Sequence, residues 1–146
     1  MDCEDYFPKG RRMWFRLCEK GSKHHEVPAH HKAEQFMDDY VAAAEFTGQT
    51  GAPLFRSLDR HRNLTERRLH RTEALLMIKR RARRAGLPYS LCNHSFRATG
   101  ITAFLSNGGT LENAQRIAAH ESPRTTSLYD RTSDEVSLDE IERIVI

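Results

Sequence analysis

Five side chains invite a chemical reading by type and spacing. His94 and Arg97 are three residues apart near a helix start, so they share a face. His120 precedes Glu121-Ser122-Pro123, and Tyr129 follows nine residues after it. Lys20 opens the turn Lys20-Gly21-Ser22-Lys23. A guanidinium can present two donors to two phosphate oxygens in a fixed fork, which an ammonium cannot. An imidazole can move protons. A phenol, with a pKa of about 10, is a weak nucleophile unless its surroundings help. Taken singly, each residue also has a duller reading. A helical His-x-x-Arg is commonly just solvated. His120 could be a helix cap. Tyr129, four residues after Thr125, could be core. A lysine in a turn usually faces water.

The elements that must position these residues follow from the pattern. Residues 4–7 and 12–18 read as strands around the turn Pro8-Lys9-Gly10, and 24–28 as the returning strand. The result is a small antiparallel sheet with Lys20 at a hairpin tip. Beyond Pro28 the pattern turns helical, with Phe36, Met37, Tyr40, Val41 and Ala44 on one face. After a loop over 48–53, a second helix is expected over 65–85. Its inward stripe is Leu75, Ile78, Ala82 and Ala85, and Gly86-Leu87-Pro88 stops it. A third runs over 93–106 and ends at Asn107-Gly108-Gly109. Thr110 caps a fourth that ends near His120, and Ser122-Pro123 starts a fifth. Ser137 and Glu140 form a capping box for a last helix bearing Leu138, Ile141, Ile144 and Val145. The fold class is therefore α+β, mainly α, in one domain over residues 1–146.

Composition narrows the function. With 146 residues, 38% hydrophobic and 29% charged, the chain reads as one soluble globular domain with a substantial core. No apolar run approaches the ~18 residues of a membrane span, and the first ten residues lack the pattern of a secretory leader. Cys3, Cys18 and Cys92 are too few and too scattered for a disulfide framework or a cysteine zinc site, which fits a reduced cytoplasm. His24, His25, His30 and His31 lie close together, but no Cys or carboxylate pattern completes a metal site, so neither metal nor cofactor is expected. From Arg56 to Arg84 there are eleven Lys and Arg against three acids, a local net of +8. From Asp130 onward six acids face two arginines, a net of −4. A basic middle suggests a polyanion partner, most simply nucleic acid, or else only a solvated helix face.

Three segments then stand in order: Leu17-Cys18-Glu19-Lys20-Gly21-Ser22-Lys23-His24-His25-Glu26-Val27-Pro28, Asn93-His94-Ser95-Phe96-Arg97-Ala98-Thr99-Gly100, and Ala119-His120-Glu121-Ser122-Pro123-Arg124-Thr125-Thr126-Ser127-Leu128-Tyr129. Together they resemble the tyrosine recombinases, or phage integrases, of bacterial phages and mobile elements. The resemblance spans nearly the whole chain. It implies the helical catalytic domain of DNA breaking-rejoining enzymes, with a small antiparallel sheet at its N-terminal side and double-stranded DNA as partner. It further implies Tyr129 as nucleophile, Arg97 and His120 on the scissile phosphate, and His94 assisting proton movement at the tyrosine. Lys20 would protonate the leaving 5′-oxygen, with Lys23 the weaker candidate. The product would be a 3′-phosphotyrosine link. In such proteins a C-terminal helix often packs on a neighbouring protomer, so the stripe over 137–145 implies self-association, or else folding back on its own chain.

The sequence departs from this pattern in one place. The family uses two arginines, the first on a helix well upstream of the hairpin lysine. Arg11, Arg12 and Arg16 fall on or beside the expected strand, so none matches it. The N-terminal DNA-clamping domain has no counterpart either. The chain thus looks like the C-terminal part of a catalytic domain, inactive alone. The alternative is an inert remnant acting only as a DNA- or protein-binding module. Type IB topoisomerases share the chemistry, but the short chain and the Thr125-Thr126 to Tyr129 pattern look more like an integrase.

Overall fold

The structure is a computed structural model that describes residues 1–18, 24–45 and 50–130. The chain divides into two compact units, Met1–Tyr89 and Ser90–Ile146. Its class is α+β: helices predominate beside small antiparallel sheets.

In the first unit a 3-10 turn, Cys3–Asp5, leads into β1 (Tyr6–Lys9), β2 (Arg12–Cys18) and β3 (His24–Pro28), an antiparallel sheet in that order. β1 starts at Tyr6 rather than at residue 4, because the Asp5 carboxylate accepts from the Asp2 N–H at 2.7 Å and winds the entry into a turn. Strand alternation sorts the side chains onto two faces. On one, Tyr6 and Phe15 are register partners with rings stacked at 5.0 Å. Burial, reinforced by the carboxylates of Asp38 and Glu34, raises the Tyr6 phenol above its ordinary value. On the other face, Lys9 lies 4.6 Å over the Trp14 ring and Arg16 lies 4.7 Å over Phe7. Glu26 of β3 accepts from both cations, at 3.0 Å from Lys9 Nζ and 3.3 Å from Arg16. One carboxylate therefore links all three strands.

The four neighbouring histidines fall at element starts. His24 and His25 open β3, while His30 caps α1 (His31–Ala43) by accepting from the Lys32 N–H at 3.2 Å. On α1 the buried stripe is narrower than the periodicity suggests: Met37 is buried, whereas Phe36 is 70% exposed.

The chain departs most from the expected elements over 56–70. In place of one helix over 65–85, the chain forms a hairpin of β4 (Arg56–Leu58) and β5 (Leu64–Arg68), then α2 (Arg71–Arg84). Side chains outcompete the helical ladder here. The Asp59 carboxylate accepts from the N–H groups of His61 at 2.8 Å and Asn63 at 2.9 Å, closing the turn. Those bonds, from Asn63 foremost, hold its carboxyl below the ordinary range. The buried Ser57 hydroxyl bonds the Thr65 hydroxyl at 2.9 Å across the hairpin. Arg68 then ties β5 to the chain start through the Met1 carbonyl at 2.8 Å and the Asp2 carboxylate. α2 begins with Glu73 accepting from the His70 N–H at 2.9 Å. It ends as Gly86-Leu87-Pro88 signals: Gly86 takes a φ of +67° and the Leu87 N–H returns to the Ala82 carbonyl at 2.9 Å. The basic stretch is thus spread over β4, β5 and α2, with Arg81, Arg83 and Arg84 in the last helical turn, where the dipole favours cations.

The second unit holds α3 (Asn93–Ser106), α4 (Leu111–Ala118) and α5 (Pro123–Ser127). α3 has the expected bounds. Its exit is a two-bond reversal, from the Gly108 N–H to the Leu105 carbonyl and from the Gly109 N–H to the Phe104 carbonyl, each 2.9 Å. Gly108 sits at a φ of +81°, and a Cβ on Gly109 would collide with the Phe104 ring. Thr110 caps α4 by accepting from the Asn113 N–H at 3.3 Å. Ile101, Leu105, Ala114 and Ala118 form the buried core, with Phe104, Leu111 and Tyr129 packed against it. Only eight apolar side chains are buried among the described residues, fewer than the length suggests. No described helix is long and apolar enough to cross a membrane. The expected last helix and the turn holding Lys20 lie outside the described residues.

Two outcomes follow from this packing. Leu105→Ala removes a side chain from the small α3–α4 core and should cost about 2–5 kcal/mol. Amide exchange along α3 should accelerate to match. The Glu26 carboxyl is held low in the folded state, by the Lys9 bond foremost and then by Arg16. Its contribution is therefore present above the ordinary carboxylate value and is lost as pH falls through the depressed one. Glu26→Gln should flatten that acid limb when the urea midpoint is measured against pH.

Candidate active site

The site is built at the carboxyl end of α4. Ala119 adopts the left-handed conformation, with a φ of 49°. This lets the Ala119 N–H return to the Arg116 carbonyl and the His120 N–H return to the Gln115 carbonyl, each at 3.1 Å. The Gln115 side chain donates to the His120 carbonyl at 3.0 Å. His120 is thereby held at both of its backbone groups before its side chain makes any contact.

Arg97 reaches this turn from the fifth position of α3. Its Nη2 donates to the Ala118 carbonyl, one of the acceptors a helix end leaves without intrahelical partners. The helix dipole favours a cation there. Its Nε donates to His120 Nε2 at 3.4 Å. On the other side of the ring, His120 Nδ1 lies 2.9 Å from the hydroxyl of Thr126, which is fully buried. A guanidinium can only donate, so Nε2 accepts. A neutral His120 ring then carries its proton on Nδ1 and gives it to the Thr126 oxygen.

Tyr129 completes the group. Its ring stacks on that of His120 with centroids 5.9 Å apart and planes at 22°. Its N–H bonds the Thr126 carbonyl at 3.0 Å, and its carbonyl accepts from the Thr102 hydroxyl at 3.3 Å. Tyr129 does not lie in the fifth helix, as expected, but two residues past its end. The Ser127 hydroxyl bonds back to the Arg124 carbonyl at 2.9 Å and competes with the ladder there.

Of the expected residues, Arg97, His120 and Tyr129 come together. His94 lies one turn ahead of Arg97 and is exposed, and its side chain makes no hydrogen bond or ion pair among the described residues. Lys20 and Lys23 lie outside the described residues. Residue typing names Thr126 only within the Thr125-Thr126 to Tyr129 pattern, with no role at the site, and does not point to Gln115 or the Ala118 carbonyl. A threonine six residues after a histidine gives no sign that it will be buried against the ring.

The sequence profile of the phage integrase family matches residues 2–135. The chain belongs to the phage integrase family. Tyrosine recombinase XerC of Brucella suis biovar 1 (strain 1330) is 30% identical over 125 residues, covering 84% of this chain. The chain spans 36% of that relative's length. Two solved structures share the fold. The XerA recombinase superposes with a TM-score of 0.71 at 19% identity, over 98% of this chain and 48% of its own. The XerH site-specific recombinase, bound to its palindromic difH substrate in a post-cleavage complex, gives a TM-score of 0.69 at 18% identity. That match covers 88% of this chain and 35% of XerH. This integrase-family chain presents the arginine, histidine and tyrosine of its second and third motifs in one compact unit.

The left-handed Ala119 makes a sharp local expectation. An L-residue with a Cβ pays about 1–2 kcal/mol in that conformation, and glycine does not. Ala119→Gly should raise the unfolding free energy of the second unit by about 1 kcal/mol. Chemical denaturation followed by helical dichroism would read it.

Proposed function

We propose that this chain supplies the carboxyl-terminal part of a catalytic centre that cleaves and rejoins double-stranded DNA through a 3′-phosphotyrosine link. The observation that carries the proposal is the gathering of Arg97, His120 and Tyr129 around one hydrogen-bonded turn. Breaking a phosphodiester without a metal needs a nucleophile, charge stabilisation for the non-bridging oxygens and an acid for the leaving oxygen. The Tyr129 oxygen attacks phosphorus, and the bond to the 5′-oxygen breaks. Arg97 and His120 hold the non-bridging oxygens where negative charge builds, the term that contributes most to such catalysis. His94 assists proton movement at the phenol. Lys20 gives the departing 5′-oxygen its proton. Attack by a 5′-hydroxyl on the phosphotyrosine reverses the step and joins the strands.

On this reading, DNA must displace the bonds that Arg97 makes in the free chain. Arg97 is bonded to two neutral acceptors, the Ala118 carbonyl and His120 Nε2. A phosphate offers charged oxygens, whose bonds to a guanidinium are about twice as strong, so a strand can draw Arg97 off both. The arginines of β5 and α2 add a sequence-independent, salt-sensitive attraction for the duplex. Arg11, Arg12 and Arg16 lie on or beside β2, and none corresponds to the arginine that the family carries on an upstream helix. Loss of a phosphate-facing arginine costs about 10³–10⁵ in rate in other phosphoryl-transfer enzymes, so cleavage by the chain alone should be negligible.

The test supplies the upstream part of the centre from a relative. Fused behind the amino-terminal portion of the Brucella suis XerC, the chain should form a covalent adduct on a nicked duplex, seen on a denaturing gel. Tyr129→Phe should abolish the adduct while duplex binding changes less than about twofold. An adduct that survives the substitution would put the nucleophile elsewhere.

A further inference from the structure

Thr126 is the most deeply buried polar residue described, with 0% of its surface exposed. Its hydroxyl lies 2.9 Å from His120 Nδ1. A buried hydroxyl without a partner is costly, so this bond fixes where the imidazole stands. A hydroxyl differs from a carbonyl or a carboxylate in one respect that matters here: it can donate or accept. With Arg97 donating to Nε2, the neutral ring holds its proton on Nδ1 and Thr126 accepts it. An anion on the site offers Nε2 no proton, only oxygens. The ring can then engage the anion only if Nε2 itself bears hydrogen. For a ring that stays neutral, a partner that could only accept would tie it to the first state, and a partner that could only donate would tie it to the second.

We infer that Thr126 is a positioning residue whose hydroxyl keeps His120 in one place while its proton changes sides. Without an anion, Nδ1–H donates to Thr126 and Nε2 accepts from Arg97. With a phosphate bound, Arg97 turns to the anion, Nε2–H donates to it, and the Thr126 hydroxyl rotates to donate to Nδ1. The exchange balances: Nδ1 releases one proton to water, Nε2 takes one from water, and the ring stays neutral. The Thr126 carbonyl also receives the Tyr129 N–H at 3.0 Å, and the Tyr129 ring stacks on His120. One residue thus sets the imidazole and the start of the tyrosine segment together. The phosphate half of this inference rests on the DNA-cleavage reading; the resting half does not.

Ring-nitrogen NMR of the whole chain separates the tautomers. Spectra are taken at a pH of about 8, where an ordinary imidazole is neutral, in buffer without phosphate or sulfate. The His120 signal is assigned by its loss in His120→Gln. The resting ring should carry its proton on Nδ1, and inorganic phosphate or a DNA duplex should move it to Nε2. Thr126→Val keeps the volume and removes the hydroxyl. It should mix the resting tautomers and weaken phosphate binding about tenfold, and Thr126→Ser should restore both. A valine variant with the wild-type spectrum and response would overturn the inference. So would a wild-type ring that rests with its proton on Nε2, a measurement that stands even if the valine variant fails to fold. A ring unmoved by either anion would overturn it as well. Movement with phosphate but not with duplex would support Thr126 in this role and count against the DNA-cleavage reading.

Discussion

Arg97 laid across the carboxyl end of α4 is the interaction on which the second unit's site depends. One guanidinium reaches the Ala118 carbonyl and the His120 ring. It satisfies a helix-end acceptor, complements the helix dipole and selects which imidazole nitrogen accepts. The left-handed Ala119 makes this possible by reversing the chain at once, so that His120 meets the arginine instead of continuing away from it. The same turn fixes His120 through both backbone groups to Gln115. The side chain proposed to act on a phosphate is thus held by backbone bonds that leave its ring nitrogens out.

The packing behind the site is thin, and the small residues explain how it suffices. Ala114 and Ala118 let α4 approach Ile101 and Leu105 of α3 closely. Tyr129 covers the edge of that core with its ring, so the residue proposed as nucleophile also contributes to stability. Function and packing draw on one side chain, and its hydroxyl can change chemistry while its ring stays put. In the first unit the sheet is organised differently. Its outward face is knit by cations over aromatic rings and by one carboxylate that touches β1 and β2 from β3. Exposed pairs of this kind contribute little to stability individually. Their consequence is alignment of the strands that flank the hairpin.

Much of the helical scaffold was legible because its signals are local. The third helix has its stop in Gly108, which takes the conformation that side chains avoid, and α4 has its start in Thr110. Gly86-Leu87-Pro88 ended α2 in the same way. The hairpin of β4 and β5 was not legible. Its residues are arginine-rich and suit a helix by propensity, and that propensity is overridden by the Asp59 turn, the Ser57–Thr65 bridge and the tie of Arg68 to Met1 and Asp2, far away in sequence. Phe36 showed the reverse failure. It fits the apolar period of α1, yet it is exposed while its neighbour Met37 is buried.

The sequence by itself determined the family, the order of the motifs and the side-chain types proposed for the chemistry. Spacing along a chain is preserved on folding, and the choice of a guanidinium, an imidazole and a phenol is a matter of chemistry before geometry. Only the tertiary structure decided which of those groups meet. It joined Arg97 to His120 across 23 positions of sequence and left His94 exposed one turn away. It set Tyr129 beyond the end of α5 and made Thr126 the buried partner of the imidazole. The reason is physical: hydrogen-bond partners and burial depend on what the rest of the chain brings to a residue, and no residue's own identity encodes that.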